Sequence, residues 1–184
     1  MKFNKYFHLE GKHAFLSPSQ YHWIRYDDQR LIDRYSTHMA AIMGTRLHAF
    51  AEEAINLKMK LPRTKQTINM YINDAIGFDM EAEQILYYSD HAFGTVDAIS
   101  FKNNFLRIHD FKSGKTPASM DQLEVYTALF CLEYGHKIND ITVELRIYQN
   151  DEILIHTPEP GNIMYIMEKI VKFDKMIEDM LKES

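Results

Sequence analysis

The chain has 184 residues, of which 46% are hydrophobic and 26% charged, and its formal net charge is −5 at pH 7. These values are typical of one globular domain, and we expect neither a membrane span nor a signal peptide, because long uncharged apolar segments are absent. The single cysteine, Cys131, excludes an internal disulfide and favours a cytoplasmic location.

The first 77 residues are predicted to be mainly helical. Ser17 is placed to cap a helix that runs to about residue 34, because Pro18 stands at its first position and Gln20 three residues after the cap. Helical spacing of apolar residues predicts two further helices, over about residues 37–61 and over residues 64–76. A basic run spans the junction of these two helices and is either a contact for phosphates or a solvated face: Lys58, Lys60, Arg63 and Lys65.

Residues 78–184 are predicted to contain the sheet, with a first strand over about residues 80–88. Two runs rich in aromatic and branched residues, 98–102 and 105–109, flank Asn103-Asn104. Because asparagine tolerates positive φ, this pair predicts a two-residue hairpin turn. The remaining predicted elements are a helix, two strands and a last helix, over residues 117–135, 141–148, 152–156 and 162–182.

This order of elements predicts an α/β or α+β fold. We expect a single domain over residues 1–184, with a central mixed β-sheet flanked by helices. The last helix carries an apolar stripe from Ile163 to Met180, which we expect to pack into the core rather than bind a partner.

The predicted hairpin brings two carboxylates together. Its turn pairs residues whose numbers sum to 207, so Asp97 faces Asp110 and Lys112 lies on the same side. Like charges directly opposed in a sheet are destabilising, and a bound cation would offset that repulsion. The alternative is an exposed hairpin end with two solvated aspartates that the lysine neutralises.

Two helices carry further candidates. Gln122 and Tyr126 are four residues apart, so they share a face near the start of the helix that follows the hairpin. His48 and Glu52 share a face of the second predicted helix in the same way. A lone histidine there is either a metal ligand or a hydrogen-bonding residue among packed helices.

Three motifs in this order carry a family resemblance: Gly94-x-x-Asp97, Asp110-x-Lys112 and Gln122-x-x-x-Tyr126. They resemble the motifs of the PD-(D/E)XK nucleases, and most closely those of the RecB-type exonuclease branch, which includes phage enzymes. The resemblance implies a restriction-endonuclease-like fold. It also implies a metal-dependent deoxyribonuclease, most simply an exonuclease of DNA processing, recombination or repair.

The resemblance implies a role for each matching position. Asp97, Asp110 and Lys112 would be catalytic, with Mg²⁺ or Mn²⁺ bound by the two aspartates, by the backbone carbonyl of Phe111 and by His48. Lys112 would orient or activate the attacking water. An acidic residue on the first strand assists the metals in some relatives, which makes Glu83 a weaker candidate.

The expected substrate is DNA, as single strands or duplex ends, which Gln122 and Tyr126 would position. A helicase or recombination protein is a candidate partner, and one cysteine implies a version of the family without an iron–sulfur cluster. Two alternatives stay open. One is a non-catalytic nucleic-acid-binding or adaptor module of this fold, and the other is a different nucleotide enzyme or metalloprotein that uses the same carboxylate pair.

Overall fold

A computed structural model describes residues 5–9 and 11–182. The chain divides into two compact units, residues 1–45 and residues 46–184. No helix within the described residues combines the length and the apolar content that crossing a bilayer requires.

The first unit contains two 3-10 helices, Phe7–Leu9 and Pro18–Arg25, and the N-terminal part of α1, which spans Asp28–Asn56. The second 3-10 helix is kinked at Gln20, where φ is −113° and ψ is 43°.

The helix predicted over residues 17–34 and the break predicted before residue 37 are wrong. The 3-10 helix ends at Arg25, and α1 then continues without interruption to Asn56. A side-chain oxygen of Asp27 accepts a hydrogen bond from the amide of Arg30 at 2.8 Å, which caps the start of α1. The hydroxyl of Ser17 instead shares a hydrogen bond with the hydroxyl of Ser19.

The second unit holds the rest of α1 and a five-stranded sheet with helices on both faces. Its further elements are α2 (Thr67–Gly77), β1 (Glu81–Ser89), β2 (Ala92–Lys102), β3 (Phe105–Phe111), α3 (Asp121–Tyr134), a 3-10 helix (Ile138–Asp140), β4 (Thr142–Gln149), β5 (Glu152–His156) and α4 (Pro160–Lys182). The strand order is β1-β2-β3-β4-β5, and neighbours are antiparallel except β3 and β4, which are parallel. The predicted α/β class with a mixed sheet is confirmed.

The hairpin register is also confirmed. Asn103 and Asn104 have φ of 52° and 58°, as a tight hairpin turn of the primed type requires. The pairs run from Lys102↔Phe105 to Ala98↔His109. The predicted pair of Asp97 and Asp110 lies one step beyond this last regular pair.

A hydrophobic cluster packs on each face of the sheet. The cluster beneath α3 and α4 includes Leu106, Ile108, Leu123, Leu145 and Ile163. The cluster beneath α1 and α2 includes Ala54, Ile72, Phe111 and Tyr148. Val96 belongs to the first cluster and Ala98 to the second, although strand residues two apart ordinarily share a face. The alternation of β2 is therefore interrupted at Asp97.

The expectation that the stripe of α4 packs into the core holds only for its beginning. Ile163 is fully buried, whereas Phe173 and Met180 are 50% and 68% exposed. An amphipathic pattern predicts which face of a helix is apolar, but it does not predict how much of that face finds a neighbour.

Candidate metal centre

Three side chains from three elements converge at the interruption of β2. His48 comes from α1, Glu83 from β1 and Asp97 from β2, and one donor atom of each lies within 4.8 Å of the others. His48 Nδ1 is 3.6 Å from Asp97 Oδ1 and 4.0 Å from Glu83 Oε1. These distances exceed those of hydrogen bonds. Ligands of one cation at about 2.1 Å lie up to about 4.2 Å apart, so small side-chain movements would close this group around an ion.

Phe111 positions two of these three side chains. Its amide donates a 2.8 Å hydrogen bond to Oδ2 of Asp97, which leaves Oδ1 facing His48. Its ring lies edge-on to the His48 ring at 5.2 Å between centroids, and it stacks on Tyr71 at 5.6 Å. Because Phe111 is only 2% exposed, the hydrophobic cluster beneath α1 and α2 fixes the placement of both candidate ligands.

The backbone of β1 turns Glu83 toward the same point. Glu83 has φ of 51°, an uncommon value for a residue within a strand. Its neighbours Ala82 and Gln84 remain paired to Ala98 and Val96, so the distortion is local and lies opposite Asp97.

Asp110 lies at the end of β3 and is 3% exposed. Its Oδ1 accepts a hydrogen bond from Lys112 Nζ at 3.0 Å, while its buried Oδ2 has no hydrogen-bond partner among the described residues. A buried carboxylate oxygen without a partner is costly. An ion or a donor from a ligand would satisfy it.

The three carboxyl groups of this centre all have a pKa above its ordinary value. Burial, followed by the charge of Asp110, raises the pKa of Asp97. Burial also raises the pKa of Asp110, despite the opposing effect of the Lys112 ammonium. Burial raises the pKa of Glu83, and the charge of Glu52 adds to that rise. A divalent cation would supply the positive charge that these groups lack.

A chain of hydrogen bonds leads from Asp110 to α3. Lys112 Nζ donates to Gln122 Oε1 at 3.0 Å, and Gln122 Nε2 donates to the Tyr126 hydroxyl at 3.4 Å. The Tyr126 hydroxyl in turn donates to the backbone carbonyl of Thr95 at 2.6 Å. The second and third motifs are thus connected to each other and, through Thr95, to the first.

The structure places the predicted residues in two adjoining groups. Asp110, Lys112, Gln122 and Tyr126 form the hydrogen-bonded chain, while His48 and Asp97 join Glu83 in the three-donor group. The role of the Phe111 carbonyl stays a prediction. Nothing in the spacing of residues 81–84 singles out Glu83, since its placement depends on a positive φ; the resemblance alone pointed to it.

No family model, no curated protein and no solved structure matches the chain.

Proposed function

We propose that this chain is a metal-dependent deoxyribonuclease that hydrolyses DNA phosphodiester bonds, as an exonuclease of DNA processing, recombination or repair. One observation carries the proposal. The buried Oδ2 of Asp110 has no hydrogen-bond partner among the described residues; its carboxylate is bonded to Lys112 and lies beside three donor atoms, from three other elements, of the types that bind metals.

The donor set fits a hard divalent cation. Carboxylate oxygens from Asp97, Glu83 and Asp110 suit Mg²⁺ and Mn²⁺, and the imidazole of His48 favours Mn²⁺ because that ion accepts nitrogen more readily. Such a cation would lower the pKa of a coordinated water and offset negative charge on the phosphate.

Lys112 would act on the phosphate itself. An ammonium group has three N–H donors, and Asp110 and Gln122 accept two of the three from Lys112. The third is left for a phosphate oxygen or for the attacking water. Because the two neighbours hold the ammonium in place, its charge is preorganised for the negative charge that develops on the phosphate during cleavage.

Tyr126 and Gln122 would position the DNA strand. The hydroxyl of Tyr126 is engaged by the Thr95 carbonyl, so its half-buried ring is the part that a nucleobase can stack on. Gln122 is exposed at the first turn of α3 and joins this ring to Lys112. A strand stacked on Tyr126 would therefore pass close to the reacting phosphate.

The direct test is cleavage of end-labelled single-stranded and duplex DNA with Mg²⁺, Mn²⁺ or EDTA. We expect cleavage with either metal, none with EDTA, and none by Asp110→Asn. Asp121→Asn is the matched control, because Asp121 is an exposed carboxylate at the start of α3. If the wild-type chain binds DNA without cutting it under any of these conditions, the chain is a non-catalytic binding module and the proposal is wrong.

A further inference from the structure

The turn between β4 and β5, Asn150-Asp151, lies at the same end of the sheet as the candidate metal centre. Parallel pairing places Phe111 beside Tyr148, and the amide of Lys112 donates to the Tyr148 carbonyl at 2.9 Å. This turn begins two residues after Tyr148. It anchors two other segments of the chain, and each of them carries a lysine.

The first segment is the loop over residues 113–118, which follows Lys112 directly. Gln149 Nε2 donates to the carbonyls of Gly114 and Thr116 at 2.6 and 2.8 Å. Gln149 Oε1 accepts a hydrogen bond from the Ala118 amide at 3.1 Å. One side chain thus holds three backbone groups of this loop, and Lys115 is exposed between two of them.

The second segment precedes α2. Asp151 Oδ1 accepts hydrogen bonds from both the amide and the hydroxyl of Thr67, each at 2.9 Å. Asn69 Nδ2 donates to the hydroxyl of Thr64 at 2.9 Å. Lys65 lies between these two anchored residues and is exposed. Asn150 Nδ2 also donates to the Lys115 carbonyl at 3.4 Å, so consecutive residues of the turn, Asn150 and Asp151, hold the segments that carry Lys115 and Lys65.

Both lysines carry a positive charge that no carboxylate of the described residues neutralises. Residues 46–184 contain fifteen Lys and Arg residues against twenty-two Asp and Glu residues. Lys58 and Lys102 both pair with Asp79, so they neutralise charge within the unit. Lys65 and Lys115 form no ion pair with any carboxylate in the part of the chain that is described. An unpaired cation in an acidic unit can attract a polyanion, and these two lie on segments held at the end of the sheet that carries the candidate metal centre.

We propose that Lys65 and Lys115 form a binding site for the backbone phosphates of a DNA strand, next to the phosphate that Lys112 contacts. The inference rests on the proposed function and extends it to the path of the substrate. Lys115 is three residues from Lys112, and Lys65 is two residues from Thr67, which Asp151 of the same turn holds. Ordered loops present these cations with less loss of backbone freedom on binding than mobile ones would.

The test is the salt dependence of DNA binding, measured by fluorescence anisotropy of a labelled single strand with Ca²⁺ in place of Mg²⁺ to prevent cutting. Each phosphate contact contributes a slope of about −0.7 in log Kobs against log salt concentration. We expect Lys65→Gln and Lys115→Gln each to flatten the slope by about this amount and to weaken binding about fivefold at 0.1 M salt. The double variant should show both effects added.

Lys137→Gln is the matched control. Lys137 is exposed and lies just before the 3-10 helix that leads into β4, at the opposite end of the sheet. If the wild-type chain binds DNA and both Lys65→Gln and Lys115→Gln keep its slope and its affinity, this inference is wrong and the proposed function stands. No DNA binding by the wild-type chain would overturn both.

Discussion

The ring of Tyr126 lies so close to the backbone of Gly94 that a Cβ atom added to the glycine would stand 2.9 Å from Cε1 of the ring. Real Cβ atoms almost never approach another heavy atom this closely. Glycine at position 94 therefore allows the tyrosine to bring its hydroxyl to the Thr95 carbonyl. The first and third motifs meet at this contact. The motif Gly94-x-x-Asp97 begins with glycine because a larger residue would collide with the Tyr126 ring.

Gly94→Ala should push Tyr126 out of this position. Losing the hydrogen bond to Thr95 would cost about 1 kcal/mol, which corresponds to a melting temperature lower by about 2–4 °C in a protein of this size. DNA affinity should fall with it. Calorimetry and anisotropy measure the two effects. Gly77→Ala is the control, since a Cβ there meets nothing within 4 Å; DNA affinity should not change, and the melting temperature should not fall because alanine favours a helix more than glycine does.

Metal binding should depend on the three-donor group. His48→Ala and Glu83→Gln should each weaken Mn²⁺ binding by about tenfold or more, and His48→Ala should also reduce the preference for Mn²⁺ over Mg²⁺. Isothermal titration with each ion gives the affinities. Glu52→Gln is the matched control, because Glu52 lies one turn along α1 from His48 and outside the group. A His48→Ala chain that folds and binds both ions like the wild type would exclude His48 as a ligand.

The metal-free protein should lose stability as the pH rises through the titration of Asp97. Burial and the charge of Asp110 raise the pKa of Asp97 to about 6 in the folded chain. Because this pKa lies above the unfolded value, the contribution is complete below about pH 4 and is lost as the pH rises through 6. Its size is on the order of 2–3 kcal/mol. Asp97→Asn should therefore be more stable than the wild type at pH 7 in EDTA, with the difference vanishing near pH 4, by urea unfolding.

The buried His109 should make the protein lose stability as the pH falls, the opposite of the effect of Asp97. Burial, followed by the charges of Arg146 and Arg107, lowers the pKa of His109 to about 3. Its contribution to stability is present above the unfolded pKa of about 6.5 and is lost as the pH falls toward 3, at about 1.4 kcal/mol per pH unit. Wild type should therefore lose more stability than His109→Gln between pH 6.5 and 4.5. Equal acid sensitivity of the two chains would show that His109 titrates normally.

The hairpin of the sheet and the end of α3 follow from turn and cap residues that can be identified in the sequence. The Asn103-Asn104 turn determines the hairpin pairing, because both asparagines adopt positive φ and one residue of slip would move every apolar side chain to the wrong face. Gly135 ends α3 with φ of 68°, as expected of a glycine at a helix end. Both features depend on residues close together in the chain, so they can be predicted from the sequence.

The site was only partly predictable, because its assembly depends on distant packing. Placing Asp97 opposite Asp110 assumed regular alternation along β2, which the structure interrupts at Asp97. Glu83 joins His48 through a strained backbone in β1, and Phe111 fixes His48 from another strand. None of these contacts has a signature in residue spacing. The sequence pattern also predicts a break before residue 37, whereas α1 begins at the Asp27 cap and continues to Asn56.

Replacing Lys112 should reduce the rate of cleavage, whereas replacing Tyr126 should reduce the affinity for DNA. Lys112→Ala removes a preorganised charge next to the reacting phosphate, so turnover should fall on the order of a hundredfold or more while DNA affinity changes much less. Single-turnover cleavage and anisotropy with Ca²⁺ separate the two quantities. Lys137→Ala controls for the lost charge. A Lys112→Ala chain that loses affinity but keeps its cleavage rate would assign the lysine to binding.

Tyr126→Ala should instead weaken binding, because one stacking contact with a base is worth about 1–3 kcal/mol, or roughly tenfold or more in affinity. Tyr126→Phe distinguishes the contribution of the ring from that of the hydroxyl. It keeps the surface for stacking and loses the hydrogen bond to Thr95, so we expect affinity near the wild-type value with a melting temperature lower by a few degrees. If Tyr126→Phe binds DNA as poorly as Tyr126→Ala, the hydroxyl and its bond to β2 matter for the substrate, and the stacking role is wrong.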